Sequence, residues 1–415
     1  MISQIFFRAG NGFVKTYNFP RRFSEYCRFS APPPIFPLRL PGQRGKVHCV
    51  YIAPGSFFPS AKACAEKAFR QKKGDFVMKK IRVGIAGLGR LGKVHAANIA
   101  YKIPNAELTA ACSIVPAELD YAKSALGVTD VYADYREMLA KADIDAVAIV
   151  TTSSEHCWQI EAALDAGKHV FSEKPLGVDV AQCKQAEAAV ERHPDLTFML
   201  GFMRRYDKSY AYAKEKIDAG AIGTPYLVKA TGVDPEALVS GAIRFAKTSG
   251  GIFLDMAIHD IDLCRWFLGS EATEVYAMGA TFKHPEFKDA GDDETGVAVY
   301  RFANGGMAMV HVGRTAPYGY HVETEIVGTD GSIRISAIPE KNQAQLYVTG
   351  GVVTECVGSF PERFQDAYLT EMEEFIDCIM TGRQPGVNVY DGTKSTAIGY
   401  ATTEAWKTGK IVKIS

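Results

Sequence analysis

Three side chains of complementary chemical type stand out in the sequence: Lys174, Asp255 and His259. Lys174 lies in HVFSEKPLG (169–177), where an apolar, strand-like run ends on an acid, an ammonium and a proline. Asp255 and His259 lie in SGGIFLDMAIHDIDLCRWFLG (249–269), four residues apart, a spacing that puts both on one face of a helix. An imidazole titrates near neutral pH and suits a general base, worth roughly 10²–10⁴ in rate. A carboxylate beside it would orient it and stabilise its protonated form. An ammonium at a strand tip would donate to a substrate oxygen and stabilise a developing alkoxide. With a nicotinamide to accept hydride, these groups supply what oxidation of an alcohol needs. The plainer reading is a core histidine bonded to a neighbouring acid, and a surface ion pair between Lys174 and Glu173. Asp262 reads either as a solvated helix-face residue or as a partner for Arg265.

What tips the balance towards chemistry is a cofactor motif upstream. The buried strand IRVGIA (81–86) runs into Gly87-Leu88-Gly89-Arg90-Leu91-Gly92, and a helical stretch follows. Gly87 permits the tight turn, Gly89 lets a pyrophosphate approach the backbone, and Gly92 lets the helix pack closely on the strand. The helix N-terminus supplies free N–H groups and positive dipole. A second strand, LTAAC (108–112), follows on schedule. The acid expected at its end, to hold the adenosine ribose, is replaced by Ser113. Serine can bond a ribose hydroxyl or tolerate a 2′-phosphate, and no Arg follows to grip that phosphate. NAD is the expected cofactor, with NADP possible.

These residues need a scaffold, and the alternation of strands and helices from 81 to 200 predicts a doubly wound parallel sheet. Ligands bind such sheets at the carboxyl ends of the strands, where Thr151, Ser153, His156, Glu173 and Lys174 lie. Beyond about 222 the rhythm changes to strands in series, with turn signals at FANGG (302–306) and GTDGS (328–332). A large antiparallel sheet is expected there, with a helix over about 253–268 and later helices at about 365–381 and 390–407. The fold class is α/β: an N-terminal Rossmann domain (78–203) and a C-terminal α/β domain (204–415) with an open, mainly antiparallel sheet.

The 415 residues carry zero formal net charge, 47% hydrophobic and 23% charged residues, which gives no case for a nucleic-acid or anionic-membrane partner. No apolar run reaches the roughly 18 residues needed to span a bilayer. Charge is uneven: residues 1–77 hold 13 Lys/Arg against 3 Asp/Glu. That basic segment lacks useful periodicity and has the composition of a transit peptide. The preferred reading is that translation starts at Met78, because Lys72-Lys73-Gly74-Asp75 can be encoded by a ribosome-binding sequence. Residues 1–77 are then expected to be non-native and mostly disordered. The nine cysteines form no CxxC pair and no cluster with zinc spacing. Reduced thiols in the cytoplasm and no metal are expected.

From Met78 onward the chain resembles the glucose–fructose oxidoreductase/inositol dehydrogenase (Gfo/Idh/MocA) family. The residues that carry the resemblance are GIAGLGRLGKVH (84–95), AGKHVFSEKPLG (166–177), GFMRRYD (201–207) and GGIFLDMAIHDID (250–262). Within that family it is most similar to inositol 2-dehydrogenases, through GFMRRYD, YGYHVETEIVGTDGSIRI (318–335) and FQDAYLTEMEEFIDCI (364–379). The resemblance implies catalytic roles for Lys174, Asp255 and His259, with the lysine often before a cis proline. It places Arg204 near cofactor and substrate, and makes Tyr318 and Tyr320 candidate polyol contacts. It also implies a homotetramer built through the large sheet. ATGVDPEA (230–237) lacks the polar His and Asn expected beside an inositol, and Asp234 is the available substitute. The expected reaction is oxidation of myo-inositol to 2-keto-inositol. The rivals are another polyol, sugar or anhydrosugar, a glycosidase-type enzyme with tightly held NAD, and a nucleotide-sensing module.

Overall fold

Ile81–Ala86 has four of its six residues buried, as an apolar strand must when helices cover both faces of its sheet. It lies inside a six-stranded parallel sheet. The spatial order is Phe198–Gly201, His169–Glu173, Ala146–Ile149, Ile81–Ala86, Ala106–Cys112 and Asp130–Tyr132. The order reverses on either side of Ile81–Ala86, the switch point at which such sheets take ligands. Helix Arg90–Tyr101 buries Gly92, His95, Ala96 and Ile99, one face at helical spacing. Helix Val180–Arg192 is capped by Asp179, whose side chain accepts from the Gln182 N–H at 2.7 Å.

This computed structural model describes residues 80–335 and 340–414, and four strands before them: Gln4–Arg8, Val14–Asn18, Phe36–Leu38 and His48–Val50. Those four form two antiparallel pairs, Gln4–Arg8 with Val14–Asn18 and Phe36–Leu38 with His48–Val50. The rest of 1–77, and with it the expectation of a disordered non-native extension, lies outside the described residues. Residues 78–415 cluster as one unit.

The second sheet has seven strands, in the order Ser332–Ile335, His321–Gly328, Pro225–Pro235, Met307–Ala316, Thr295–Phe302, Ala272–Ala280 and Val412–Lys413. The FANGG and GTDGS turns join antiparallel neighbours, as expected. Two features differ from the sequence reading. Pro225–Pro235 pairs in parallel with Met307–Ala316, because the connection between them is long enough to cross over. Among the described residues, Glu340–Val348 pairs only with Gly351–Cys356, as a separate exposed hairpin. Helix Lys208–Asp218 is also absent from the expected elements. It buries only Tyr210, Ala213 and Ile217, too thin a stripe to register against its polar remainder.

The helix expected over 253–268 is two helices, Ile252–Asp255 and Ala257–Leu268, meeting at Met256. Ala257–Leu268 is buried almost all round, as a helix between two layers must be. Ile261, Cys264 and Phe267 pack into the core of the seven-stranded sheet. Ile258 and Leu254 pack with Val147, Ile149 and Leu200 of the parallel sheet. That bridging position brings this helix pair to the carboxyl edge of the parallel strands.

Candidate active site

Lys174 follows the last residue of strand His169–Glu173, and its peptide bond to Pro175 is cis. Its ammonium donates to the Asp255 carbonyl oxygen at 3.0 Å and lies 3.6 Å from Asp255 Oδ1. Arg314, buried on strand Met307–Ala316, donates through Nη2 to Asp255 Oδ2 at 3.0 Å. Burial pushes the Asp255 carboxyl up, but Lys174 and Arg314 outweigh it and hold the group below its ordinary range. Asp255 is thus an anchor for two cations. The expected hydrogen bond from the His259 ring to Asp255 is not what the structure contains. The Asp255 oxygens go to Lys174 and Arg314, and His259 Nδ1 has no partner among the described residues. The break at Met256 interrupts the continuous helix on which that expectation rested.

His259 is pushed well below its ordinary value near 6.5, first by burial and then by the charges of Lys174 and Arg204. It is therefore neutral across the physiological range, the form that accepts a proton. Its ring and that of Phe202 meet in a T-shaped arrangement, with centroids 6.3 Å apart. Arg204 is buried and donates to Asp260 Oδ1 at 2.5 Å, with the Tyr320 phenol beside it. Tyr320 is itself buried, and burial raises its phenol. Asp234 feels Arg314, Asp255, Lys174 and Arg204; burial raises its carboxyl against the pull of the three cations. The parallel pairing of Val233 with Gly313 and Pro235 with Ala316 sets Asp234 beside Arg314. The structure thus gathers Lys174, Arg204, Asp234, Asp255, His259 and Tyr320, and adds Arg314. Tyr318 stands apart, 48% exposed, with its hydroxyl against His321 Nδ1 at 2.9 Å.

The dinucleotide motif has the shape the glycines imply. Gly87 has φ +88°, and a Cβ there would lie 2.4 Å from the Val150 carbonyl oxygen. A Cβ on Gly92 would lie 2.1 Å from the Gly87 carbonyl oxygen, whereas one on Gly89 would meet nothing within 4 Å. Two glycines are therefore required by packing, and the third opens on space. Gly89 is the N-cap of helix Arg90–Tyr101, with no side-chain cap and no acid in its first turn. Its N–H groups are left for an anionic ligand, so this chain's residues fit a dinucleotide. Arg90 is exposed with its guanidinium 5.0 Å over the Phe360 ring, and Leu91 packs on the core of the seven-stranded sheet. Ser113 is buried. Ser153 opens the short turn Ser153–Glu155 at the same edge.

Thr151 and His156 hold the edge together. Thr151 Oγ1 donates to Gln159 Oε1 at 2.6 Å. His156 is buried, with Nδ1 2.7 Å from the Pro175 carbonyl oxygen and Nε2 3.2 Å from that of Thr151. It ties the Lys174–Pro175 turn to the neighbouring strand tip. Burial, against its two carbonyl partners, lowers its pKa. Glu173 faces inward: His95 Nε2 is 2.8 Å from its Oε1, and its Oε2 accepts from the Lys174 N–H at 3.1 Å. Glu371 lies 3.9 Å from the same His95 nitrogen. Burial and then the Glu173 carboxylate raise Glu371 well above its ordinary range. The acid before Lys174 is therefore a buried strut, not a surface ion-pair partner.

GFMRRYD and DID interlock. Arg204 takes Asp260, while Arg205 takes Asp262 with Nε at 2.8 Å and Nη2 at 2.5 Å, and reaches Asp391 Oδ1 at 3.0 Å. Asp262 is 1% exposed, which removes the solvated reading, and Arg265 Nη1 remains 3.6 Å from it. Arg205→Ala is expected to cost about 3 kcal/mol, the low end for unpairing a buried charge, because Arg265 stays. Urea midpoints compared with Arg192→Ala, which breaks an exposed pair with Glu161, check this. Equal small shifts would contradict it.

Sequence inspection does not single out Arg314, His95 or Glu371 as functional. The signal for Arg314 is a buried arginine inside a mainly apolar strand, MAMVHVGRTA. His95 closes the motif GIAGLGRLGKVH, but its partner Glu371 lies 276 residues away in sequence. No spacing rule links them.

Comparison with known proteins adds three findings. Residues 81–202 match the model of an oxidoreductase family with an NAD-binding Rossmann fold, GFO_IDH_MocA, and residues 210–334 match the GFO/IDH/MocA C-terminal domain. The chain is 35% identical over 334 residues to scyllo-inositol 2-dehydrogenase (NAD(+)) of Bacillus subtilis, covering 80% of this chain and 96% of that one. It is 33% identical over 334 residues to myo-inositol 2-dehydrogenase of Thermotoga maritima, covering 80% and 98%. Among solved structures, scyllo-inositol dehydrogenase from Lactobacillus casei with bound NAD(H) and scyllo-inositol superimposes with a TM-score of 0.79 at 47% identity, over 81% of this chain and 99% of that one.

Proposed function

The chain belongs to the Gfo/Idh/MocA family of NAD-binding oxidoreductases, and on that premise we propose that it oxidises a secondary hydroxyl of an inositol to the 2-keto-inositol. The observation that carries this reading is the contact of Lys174, from a tip of the parallel sheet, with Asp255, near a His259 whose pKa is lowered first by burial and then by Lys174 and Arg204. Residues 78–203 hold the dinucleotide, and 204–415 supply the polyol site and subunit contacts.

NAD, when bound, supplies the hydride acceptor. Gly87, Gly89, Gly92 and the N-terminus of helix Arg90–Tyr101 hold its pyrophosphate. His259, neutral because of its surroundings, takes the hydroxyl proton onto its imidazole. Lys174 commits donors to Asp255 and keeps one of its three for the substrate oxygen. That ammonium opposes the negative charge that develops as the proton leaves. Asp255, fixed by Arg314, holds Lys174 in place. Arg204, Asp234 and Tyr320 offer the polar groups that a polyhydroxylated ring requires.

A second reading within this one takes scyllo-inositol as the preferred isomer, favoured by the 47% identity to the L. casei enzyme of that name. The two isomers differ in the orientation of one hydroxyl and give the same ketone. The test is NADH formation over a panel of inositols, aldoses and anhydrosugars with NAD and NADP. Turnover is expected with NAD and an inositol. Turnover of an aldose alone, or cofactor that survives desalting with no net NADH, would overturn the reading.

Copies of the chain assemble through the outer face of the seven-stranded sheet. Met278, Val297, Val299, Met307 and Met309 are all at least 39% exposed on adjacent strands there, an apolar patch that suits an interface. A tetramer in the cytoplasm fits this face and the free state of all six described cysteines. No described helix is long and apolar enough to cross a membrane.

A further inference from the structure

Strand Ala106–Cys112 ends beside the glycine turn, and the Gly87 N–H donates to the Cys112 carbonyl at 2.9 Å. The position that would hold the adenosine ribose therefore begins at Ser113. The Ser113 hydroxyl is buried and donates to Glu118 Oε2 at 2.6 Å. The same oxygen accepts from the Leu88 N–H, inside the glycine turn, at 3.3 Å. The Val115 N–H donates to Ser113 Oγ at 3.0 Å, which fixes the serine rotamer. A carboxylate thus lies between the tip of the second strand and the phosphate turn. It comes from the first turn of helix Pro116–Leu126 rather than from the strand end.

An acid in the first turn of a helix ordinarily serves that helix's own N–H groups and dipole. Glu118 does not: its recorded bonds run outward, to Ser113 and across to Leu88. Both fall on Oε2, which leaves Oε1 for a ligand. Ile114, next to Ser113, is 89% exposed, a bare apolar side chain at the rim where a base would lie. Of the basic side chains of the helix after the glycine turn, Arg90 is turned away over Phe360, and Lys93 is held over the ring of Tyr121, one turn beyond Glu118 on the same helix.

Resting on the NAD reading above, we propose that Glu118, presented through Ser113, is the residue that grips the adenosine ribose hydroxyls and excludes a 2′-phosphate. Its carboxylate replaces the acid missing from the strand end. It accepts from a ribose hydroxyl, and it meets a 2′-phosphate as a like charge, which interfaces penalise strongly.

The test is direct binding, read by the fluorescence of NADH and NADPH with wild type, Glu118→Gln and the double variant Ser113→Asp/Glu118→Gln. Thermal midpoints serve as a folding check. Wild type is expected to bind NADH at least about 30-fold more tightly than NADPH, the scale of a charged hydrogen bond plus a repulsion. Glu118→Gln is expected to weaken NADH about 10-fold and to narrow the ratio by at least that factor. The double variant, with an acid restored at the strand end, is expected to regain NADH affinity. Glu118→Gln with both affinities within twofold of wild type would overturn the assignment, as would wild type binding the two dinucleotides equally. Wild type that binds neither would overturn the cofactor reading as well, an outcome distinguishable from failure of Glu118 alone.

Discussion

Lys174→Ala is expected to lower kcat about 10³-fold while the dissociation constant for NADH stays within about threefold. One donor aimed at a developing oxyanion is worth roughly 10²–10³ in rate, and an ionised donor sits at the upper end. Cofactor binding should survive because the glycine turn and helix Arg90–Tyr101 make no recorded bond to the ammonium. The fold should survive too, since Asp255 keeps Arg314 at 3.0 Å. A second readout separates a chemical from a structural role. Lys174 is one of the charges that depress His259, so its removal should let the imidazole rise towards 6.5. The acid limb of the kcat/KM profile should then move to higher pH in the residual activity. Equal loss of binding and turnover, with an unmoved limb, would make Lys174 a structural residue.

His259→Asn is expected to cost about 10³-fold in kcat, within the range for losing a positioned general base. The pH profile carries the sign. The base must be unprotonated, and burial with two nearby cations pushes His259 well below its ordinary value. Wild-type kcat/KM should therefore fall only when pH drops well below 6.5. In His259→Asn that limb should disappear and the remaining rate should climb with hydroxide. A wild-type limb at or above 6.5, or an unchanged profile in the variant, would assign the proton to another group.

Much of this site is readable from local sequence, because local physics sets it. The strand before Gly87 and the helix after Gly92 announce a dinucleotide turn, and the side chains absent from those glycines are ones the packing cannot admit. The cis Lys174–Pro175 bond agrees with what the family resemblance implies. The errors have a common origin in long-range partners. Asp255 and His259 look like a helix-face pair by spacing. Arg314, 59 residues beyond Asp255, takes the carboxylate instead, through a parallel strand pairing that no local pattern encodes. Ser113 looks like a missing acid because the eye stops at the strand end. Glu118 supplies a carboxylate to the same place from the next helix. Glu173 looks like a surface acid until His95, 78 residues earlier, is folded against it.

The account rests on an ammonium and an imidazole closing on one hydroxyl beside the nicotinamide. A crystal structure of the complex with NAD and an inositol tests this most directly. One ring oxygen should lie within hydrogen-bond reach, about 2.6–3.2 Å, of both Lys174 Nζ and a His259 nitrogen, with its carbon facing nicotinamide C4. An inositol seated with that carbon against the nicotinamide and its oxygen beyond reach of either residue would contradict the account.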